Sequence, residues 1–477
     1  MTPTYDLIVI GAGSAGLSAA MFASQLGARV ALIDRDQPGG DCLRSGCVPS
    51  KTLIKVAKVA WEMRHANRFG LAPASAEVDL GLINAHVQAT IERVYQFERP
   101  EALKAAGIAF FSGGARFTGP DSIVAGDHTL RGGRFLVCTG AHPVRPALPG
   151  LDDLTYLTYE DVFHLDRLPQ RLIVLGTGPV GVELAQAFGR LGSRVTIVGR
   201  SGHVLSKADP TIQSVVEDIL ASEGIEMRLN ARAERVEPTD DGGVRALTAR
   251  ESLKGDALLV ALGRSPNVDE LGLKTARVTY TARGITVDEK LRTSNPRIYA
   301  CGDVIGGPQF SHYAAWQAYI AVRNALLPGG SRGVRTDVPW AVFTDPEVAA
   351  VGLTETEART RHGKDVLVSQ IDLDQVDRAQ TDDELRGVIK VVLRRNGQIL
   401  GAHIVAARAG EMIQEYVLAM SQHLPLDRLA GSMHVYPTYS TGNQQVEASY
   451  FTEKLLAGLK GKIVRMLLRR TSSRPQS

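Results

Sequence analysis

Cys42 and Cys47 stand with four residues between them in the run GGDCLRSGCVPSK, residues 39–51 of a chain that holds four cysteines in all. A metal clip, an inert pair and a redox pair are the chemistries open to them. In a regular helix, Cα atoms five positions apart lie roughly 8–9 Å from each other, whereas a disulfide asks for about 4.4–6.8 Å. A bond between them therefore requires an irregular first turn, and Gly46 stands where that freedom is useful. Zinc needs two further ligands, and neither Cys138 nor Cys301 has the spacing of a second half-site. The helical pattern SKTLIKVAKVAWEM that follows turns its N-terminal dipole toward the sulfurs and favours a thiolate. Spacing and context favour a pair that opens and closes its bond. Lys51 ends the run with a positive charge.

Residues that do chemistry need a frame, and two stretches supply it. YDLIVI (5–10) reads as a strand, Gly11, Gly13 and Gly16 follow as G-x-G-x-x-G, and LSAAMFASQLG continues as a helix. The glycines permit the tight turn, the approach of a pyrophosphate and the packing of helix on strand. A second strand, ARVALID, ends in Asp34, an acid placed to accept hydrogen bonds from a ribose. The same ruler fits RLIVLGTGPVGVELAQAFGRLGSRVTIVGR, with Gly176, Gly178 and Gly181, but where the first copy has its acid the second has Gly199, followed by Arg200. Loss of the carboxylate beside an arginine favours a 2′-phosphate, so the second site is expected to prefer NADPH to NADH, with Lys207 as a further positive charge.

Composition bounds the rest. The 477 residues exceed a single core, 44% are hydrophobic, and the net charge of +3 is too slight to argue for nucleic acid. No apolar run reaches the ~18 residues of a membrane span. The N-terminal residues lack the pattern of a signal peptide, which leads to an expected cytoplasmic location.

The order of these motifs resembles the flavin-dependent pyridine nucleotide–disulfide oxidoreductases. The resemblance also rests on FLVCTGAHP (135–143), LLVALGRSPN (258–267), TSNPRIYACGD (293–303) and FTDPEVAAVG (343–352). It implies two Rossmann-like domains, for FAD and for NAD(P)H, followed by an α+β domain that makes a homodimer. The expected boundaries are 1–150 and 268–334 for the FAD and central domain, 151–267 for the NAD(P)H domain, 335–458 for the interface domain and 459–477 for a basic amphipathic tail. Within the family, ELAQAFGRLGSRVTIVGR and PQF before the helix at 311–323 are most similar to the mercuric reductases. Those enzymes normally end in a vicinal cysteine pair, whereas no cysteine follows Cys301 in this sequence.

By the family's pattern, FAD is held by Gly11, Gly13, Ser14, Ala15, Gly16, Asp34, Arg35, Gly40, Asp41, Cys42, Lys51, Ala115, Thr139, Gly140, Ala141, Asp303, Phe310 and His312. The nicotinamide cofactor is held by Gly176, Gly178, Pro179, Val180, Gly181, Glu183, Gly199, Arg200, Val236 and Gly263. Cys47 is expected against the flavin, Cys42 to attack the acceptor, and Lys51 to pair with Glu183. Asp41, where relatives carry threonine, is expected to raise the Cys42 pKa if it lies close to the sulfur. Cys138 and Cys301 read as buried small residues.

The family's acid/base dyad is a histidine before Pro-Thr and a glutamate five residues on. Here SMHVYPTYSTGNQQVE (432–447) places Tyr436 and Thr441 at those positions. A phenol of pKa about 10 shuttles protons poorly near neutrality. His434 shares a face with Tyr436 in an extended stretch and is a candidate to support it or to replace the base, or else is satisfied elsewhere at the interface. The expected activity is electron transfer from NADPH through flavin and the cysteine pair to a soft metal ion, an electrophile or a disulfide. A dihydrolipoyl dehydrogenase or glutathione reductase is the alternative within the family. A slow flavin redox sensor, or a factor held weakly at a membrane surface by the basic tail, is the alternative outside it.

Overall fold

The computed structural model describes residues 5–457 together with Gly461, Ile463 and Met466. Apart from those three positions, the tail at 459–477 lies outside the described residues. The chain divides into two compact units, Met1–Gly202 with Glu223–Thr336, and His203–Ser222 with Asp337–Ser477. Residues 203–222, expected within the NAD(P)H domain, thus group with the C-terminal unit. No helix among the described residues is long and apolar enough to cross a membrane.

Two sheets organise the first unit, the larger mixed and the smaller parallel. Val, Ile and Leu fill Tyr5–Ile10 and Val30–Asp34, as strands covered on both faces require. The larger sheet runs Ile108–Ser112, Val30–Asp34, Tyr5–Ile10, His128–Val137, Ser122–Ala125 and Ala115–Phe117, and Ile298–Ala300 also pairs with His128–Val137. Ile10 is in register with Ile33 and Val137, and Val137 with Ala300, all in parallel. The strand ends therefore coincide, so the glycine loop after Ile10, Thr139 and Asp303 emerge on one edge, where ligands of such sheets bind. The smaller sheet places Glu226–Arg228, Arg194–Val198, Arg171–Leu175 and Ala257–Val260 side by side in parallel. Its edge likewise gathers Gly176, Gly199 and Gly263.

The second unit is α+β. A five-stranded antiparallel sheet runs Trp340–Val342, Glu347–Gly352, Ile399–Ala406, Val388–Arg394 and Val366–Asp372. One core joins this sheet to the helices Ala409–Ser421 and Ser440–Ala457, through Ile404, Ile413, Tyr416, Val446 and Tyr450. The fold class read from the sequence is the fold observed.

Candidate active site

The irregular turn between the cysteines exists. A short helix, Gly40–Arg44, ends at Ser45, and a new one, Cys47–Arg64, starts after Gly46. A side chain at 46 would press on the Asp41 carbonyl at 2.9 Å, so the turn leaves room for glycine alone. Cys42 and Cys47 stand as half-buried free thiols within hydrogen-bonding reach of each other. Cys42 is lowered to about 6, first by the Cys47 thiol that donates to its sulfur, against the cost of burial, and further by the hydroxyls of Ser311 and Ser14. Cys47 is pushed up by the same contact and by burial. The pair loses one proton readily and keeps the second.

Asp41 corrects an expectation. It is not among the leading causes of the Cys42 shift, and its carboxylate is bonded to other partners. Ser45 Oγ donates to one oxygen at 2.5 Å, while Tyr159 Oη donates to the other at 2.9 Å and Arg264 Nη2 also binds it. Arg264 in turn donates to Asp303 Oδ2 at 2.6 Å and to the Ala141 carbonyl at 3.1 Å. One guanidinium thus ties three segments expected to touch FAD. In the sequence Arg264 is marked only by its place inside the motif LLVALGRSPN.

Lys51 and Glu183 meet, Nζ to Oε2 at 2.8 Å, across 132 positions of sequence. Glu183 is buried while Lys51 keeps about a third of its side-chain surface. The glutamate offsets the desolvation of an ammonium held one helical turn beyond Cys47. Ser311 begins the helix Ser311–Leu326 and lies 3.4 Å from Cys47 Sγ. It was missed, although its neighbours Phe310 and His312, whose rings stack at 5.4 Å, were named.

The cradles fit dinucleotides. A Cβ on Gly11 would lie 2.4 Å from the Cys138 carbonyl, and one on Gly16 would lie 1.7 Å from the Gly11 carbonyl. Gly176 and Gly181 repeat those close approaches. At Gly13 a Cβ would meet nothing nearer than 3.7 Å, and at Gly178 it would meet open space among the described residues, so backbone amides stay accessible to a pyrophosphate. Asp34 is fixed at its strand end by the amides of Ala12 at 2.5 Å and Asp36 at 3.0 Å. Ser14 and Ala15 open the first helix, Pro179 and Val180 the second. Arg200 is exposed, Val236 is packed into a core, and Ala115 sits in an antiparallel strand pair. Cys138 and Cys301 are buried with their sulfurs 3.5 Å apart.

In the second unit, Tyr436 Oη donates to Asp377 Oδ2 at 2.8 Å, and this raises the phenol's pKa. Thr441, at the place of the family's glutamate, bonds the Thr438 carbonyl at 2.6 Å. His434 faces away from Tyr436: its Nε2 meets Glu415 at 3.0 Å and its side chain is nearly buried, whereas Tyr436 is 69% exposed. The idea that His434 supports Tyr436 is therefore corrected, because burial of the imidazole and exposure of the phenol separate the two faces.

Residues 5–318 match the family model of the pyridine nucleotide-disulphide oxidoreductases, and residues 338–446 match the dimerisation domain of the same group. The chain belongs to that family. Family members sharing its sequence include a mercuric reductase of Bacillus cereus, 36% identical over 92% of this chain and 70% of that protein. A mercuric reductase of Lysinibacillus sphaericus is also 36% identical, over 92% and 81%. A dihydrolipoyl dehydrogenase of Thermus scotoductus is 35% identical over 92% and 96%. Among solved structures, the HOCl-induced flavoprotein disulfide reductase RclA from Escherichia coli superposes with a TM-score of 0.85 at 29% identity, covering 93% of this chain and 99% of that one. A Cu(II) complex of the same reductase gives 0.83, over 92% and 98%. As a family member the chain is an FAD-dependent oxidoreductase that uses a pyridine nucleotide, and its dimerisation domain supports a homodimer.

Proposed function

We propose that this oxidoreductase uses NADPH and passes electrons by way of the Cys42–Cys47 pair to a soft, thiolate-seeking metal ion, mercuric or cupric. Tyr436 carries the reading. Reduction of an organic disulfide ends with a leaving thiolate that takes a proton, and the family's imidazole delivers it. Here the corresponding phenol is committed to Asp377 and less acidic than usual, so it releases no proton near neutrality. A soft cation needs no such proton. Closing the dithiol to a disulfide yields two electrons, which reduce one mercuric ion to the metal or two cupric ions to cuprous.

FAD, when bound, supplies the two-electron station between nicotinamide and disulfide. Lys51 places positive charge beside that station and Glu183 holds it there. Cys42, with its lowered pKa, offers a thiolate ligand at neutral pH, and soft thiolates select such metals. The mercuric reductases among the relatives and the Cu(II) complex of RclA support this class of acceptor. Gly199 and Arg200 support NADPH: a side chain at 199 would press to 2.2 Å from Thr177 Cγ2, so the position excludes the carboxylate that favours NADH. A dithiol reopened in every turnover works in a reducing compartment, and on that ground we place the protein in the cytoplasm.

The test is NADPH oxidation by the purified enzyme with mercuric ion, cupric ion, glutathione disulfide and lipoamide in turn. Turnover is expected with a metal ion and is lost in Cys42→Ser. Faster turnover with lipoamide or glutathione disulfide than with either metal would replace this reading with that of a disulfide reductase.

A further inference from the structure

The helices Ala409–Ser421 and Ser440–Ala457 and the loop before the second of them bring Glu415, Glu447 and His434 together. One ligand atom from each lies within 4.8 Å of the other two. In the second helix Asn443, Val446, Glu447 and Tyr450 form the buried face, with the spacing of an amphipathic helix. Val446 and Tyr450 suit a core; a carboxylate does not. Glu447 has no exposed surface, and as a carboxylate neither of its oxygens meets a donor among the described residues; the carboxyl of Glu415 is the group within its hydrogen-bonding reach. Such a group is costly to bury unless it is neutralised or ligated.

The surroundings confine the ways to satisfy it. Beside it stands another acid, Glu415, which repels its charged form. Glu415 is already oriented, because Asn443 Nδ2 donates to its Oε2 at 2.9 Å and His434 Nε2 lies 3.0 Å from its Oε1. His434 Nδ1, Asn443 Oδ1 and the Tyr416 hydroxyl are likewise buried without partners among the described residues. Two carboxylates, one imidazole and several unanswered oxygen and nitrogen atoms form a donor set. Without a cation, burial and Glu415 push the Glu447 carboxyl up to about 9, so it holds its proton at neutral pH.

We propose that Glu415, His434 and Glu447 bind a divalent transition-metal ion of the zinc class. Imidazole and carboxylate are ligands such ions accept, with bonds of about 2.0–2.2 Å. Tetrahedral bonds of that length set ligand atoms about 3.4 Å apart; the His434–Glu415 pair at 3.0 Å opens slightly, and the three ligand atoms, within 4.8 Å of one another, settle around the ion. Glu415 keeps about a quarter of its side-chain surface, which gives the ion a route in and a water at the fourth position. Bound there, the ion fastens the loop at His434 to both helices and so anchors the segment carrying Tyr436 two residues on. This site is separate from the acceptor chemistry of the cysteine pair and does not depend on which acceptor that pair reduces.

The experiment uses full-length holoenzyme with the Cys42–Cys47 disulfide oxidised, stripped with a chelator and titrated with zinc chloride by calorimetry and metal analysis. One zinc per chain is expected, with binding weakened at least a hundredfold in Glu447→Gln and in His434→Gln but unchanged in the Cys42→Ser/Cys47→Ser double variant. Zinc is expected to raise the melting temperature of the unsubstituted enzyme and of neither single variant. Should Glu447→Gln misfold, His434→Gln, in a loop at the rim, carries the same comparison. Absence of zinc binding, or binding that survives in whichever single variants fold, overturns the proposal; Glu447 is then a protonated carboxyl shared with Glu415 and nothing more.

Discussion

A thiol becomes acidic when its thiolate receives more hydrogen bonds than its protonated form gives. Cys42 receives them from Cys47, Ser311 and Ser14, and together they outweigh burial. Because deprotonation creates the charge, a lowered pKa puts the thiolate at pH values where an ordinary cysteine, near 8.5, is still neutral. Alkylation of the reduced enzyme by iodoacetamide, mapped to Cys42 by mass spectrometry, should therefore rise through a midpoint near pH 6. Ser311→Ala should move that midpoint upward by removing one donor. A midpoint at the ordinary thiol value in the unsubstituted enzyme would show that these contacts do not form. At this scale the sequence was half legible. Cys42, Cys47 and Lys51 announced themselves by local spacing, whereas Ser311 reaches Cys47 across 264 positions and Arg264 reaches Asp41 across 223. Glu415 likewise reaches the loop residue His434 from a helix. No periodicity encodes such meetings; they exist only once strands and helices are in register.

Elements behave differently, because a parallel strand fixes where its successor loop must stand. Strand, glycine turn, helix and strand recur in one order, so both cradles could be read before any coordinate was known. What the pattern left out is the contact between loops at the strand ends. Gly199 ends one strand and Thr177 sits in the glycine loop of its neighbour, and a Cβ at 199 would collide with the threonine methyl. Specificity for the nucleotide is thus shared by two loops. Gly199→Asp alone should weaken binding of both nucleotides, since the new side chain displaces the loop that cradles the pyrophosphate. Gly199→Asp with Thr177→Gly should restore binding and move the kcat/KM ratio toward NADH. Arg200→Ala should lower kcat/KM for NADPH roughly ten- to a hundredfold, the worth of a charge-assisted contact of about 1.5–3 kcal/mol, and leave NADH unaffected. Equal losses with both nucleotides would remove Arg200 from 2′-phosphate recognition.

At the scale of the molecule, the family's dimerisation domain makes the second unit more than a neighbour of the first. Met433, Val435 and Tyr436 are 97%, 76% and 69% exposed in the single chain, a run of apolar side chains that solvent alone does not favour. The family resemblance implies that this segment completes the cysteine site of the partner chain, and we adopt that as a prediction about geometry between subunits. Mixed dimers decide it. Cys42→Ser and Tyr436→Ala chains, co-expressed with different tags and purified as the heterodimer, each carry one defect. If Tyr436 serves the partner, both defects fall on one of the two sites and the other is intact, so the heterodimer should recover about half the turnover of the unsubstituted enzyme while each parent homodimer is impaired. If each chain builds its own site, every site carries a defect and the heterodimer should do no better than the mean of its parents. A Tyr436→Ala homodimer with full turnover would instead dismiss Tyr436 from the reaction, and would leave standing the lack of a proton donor on which the choice of a metal acceptor rests.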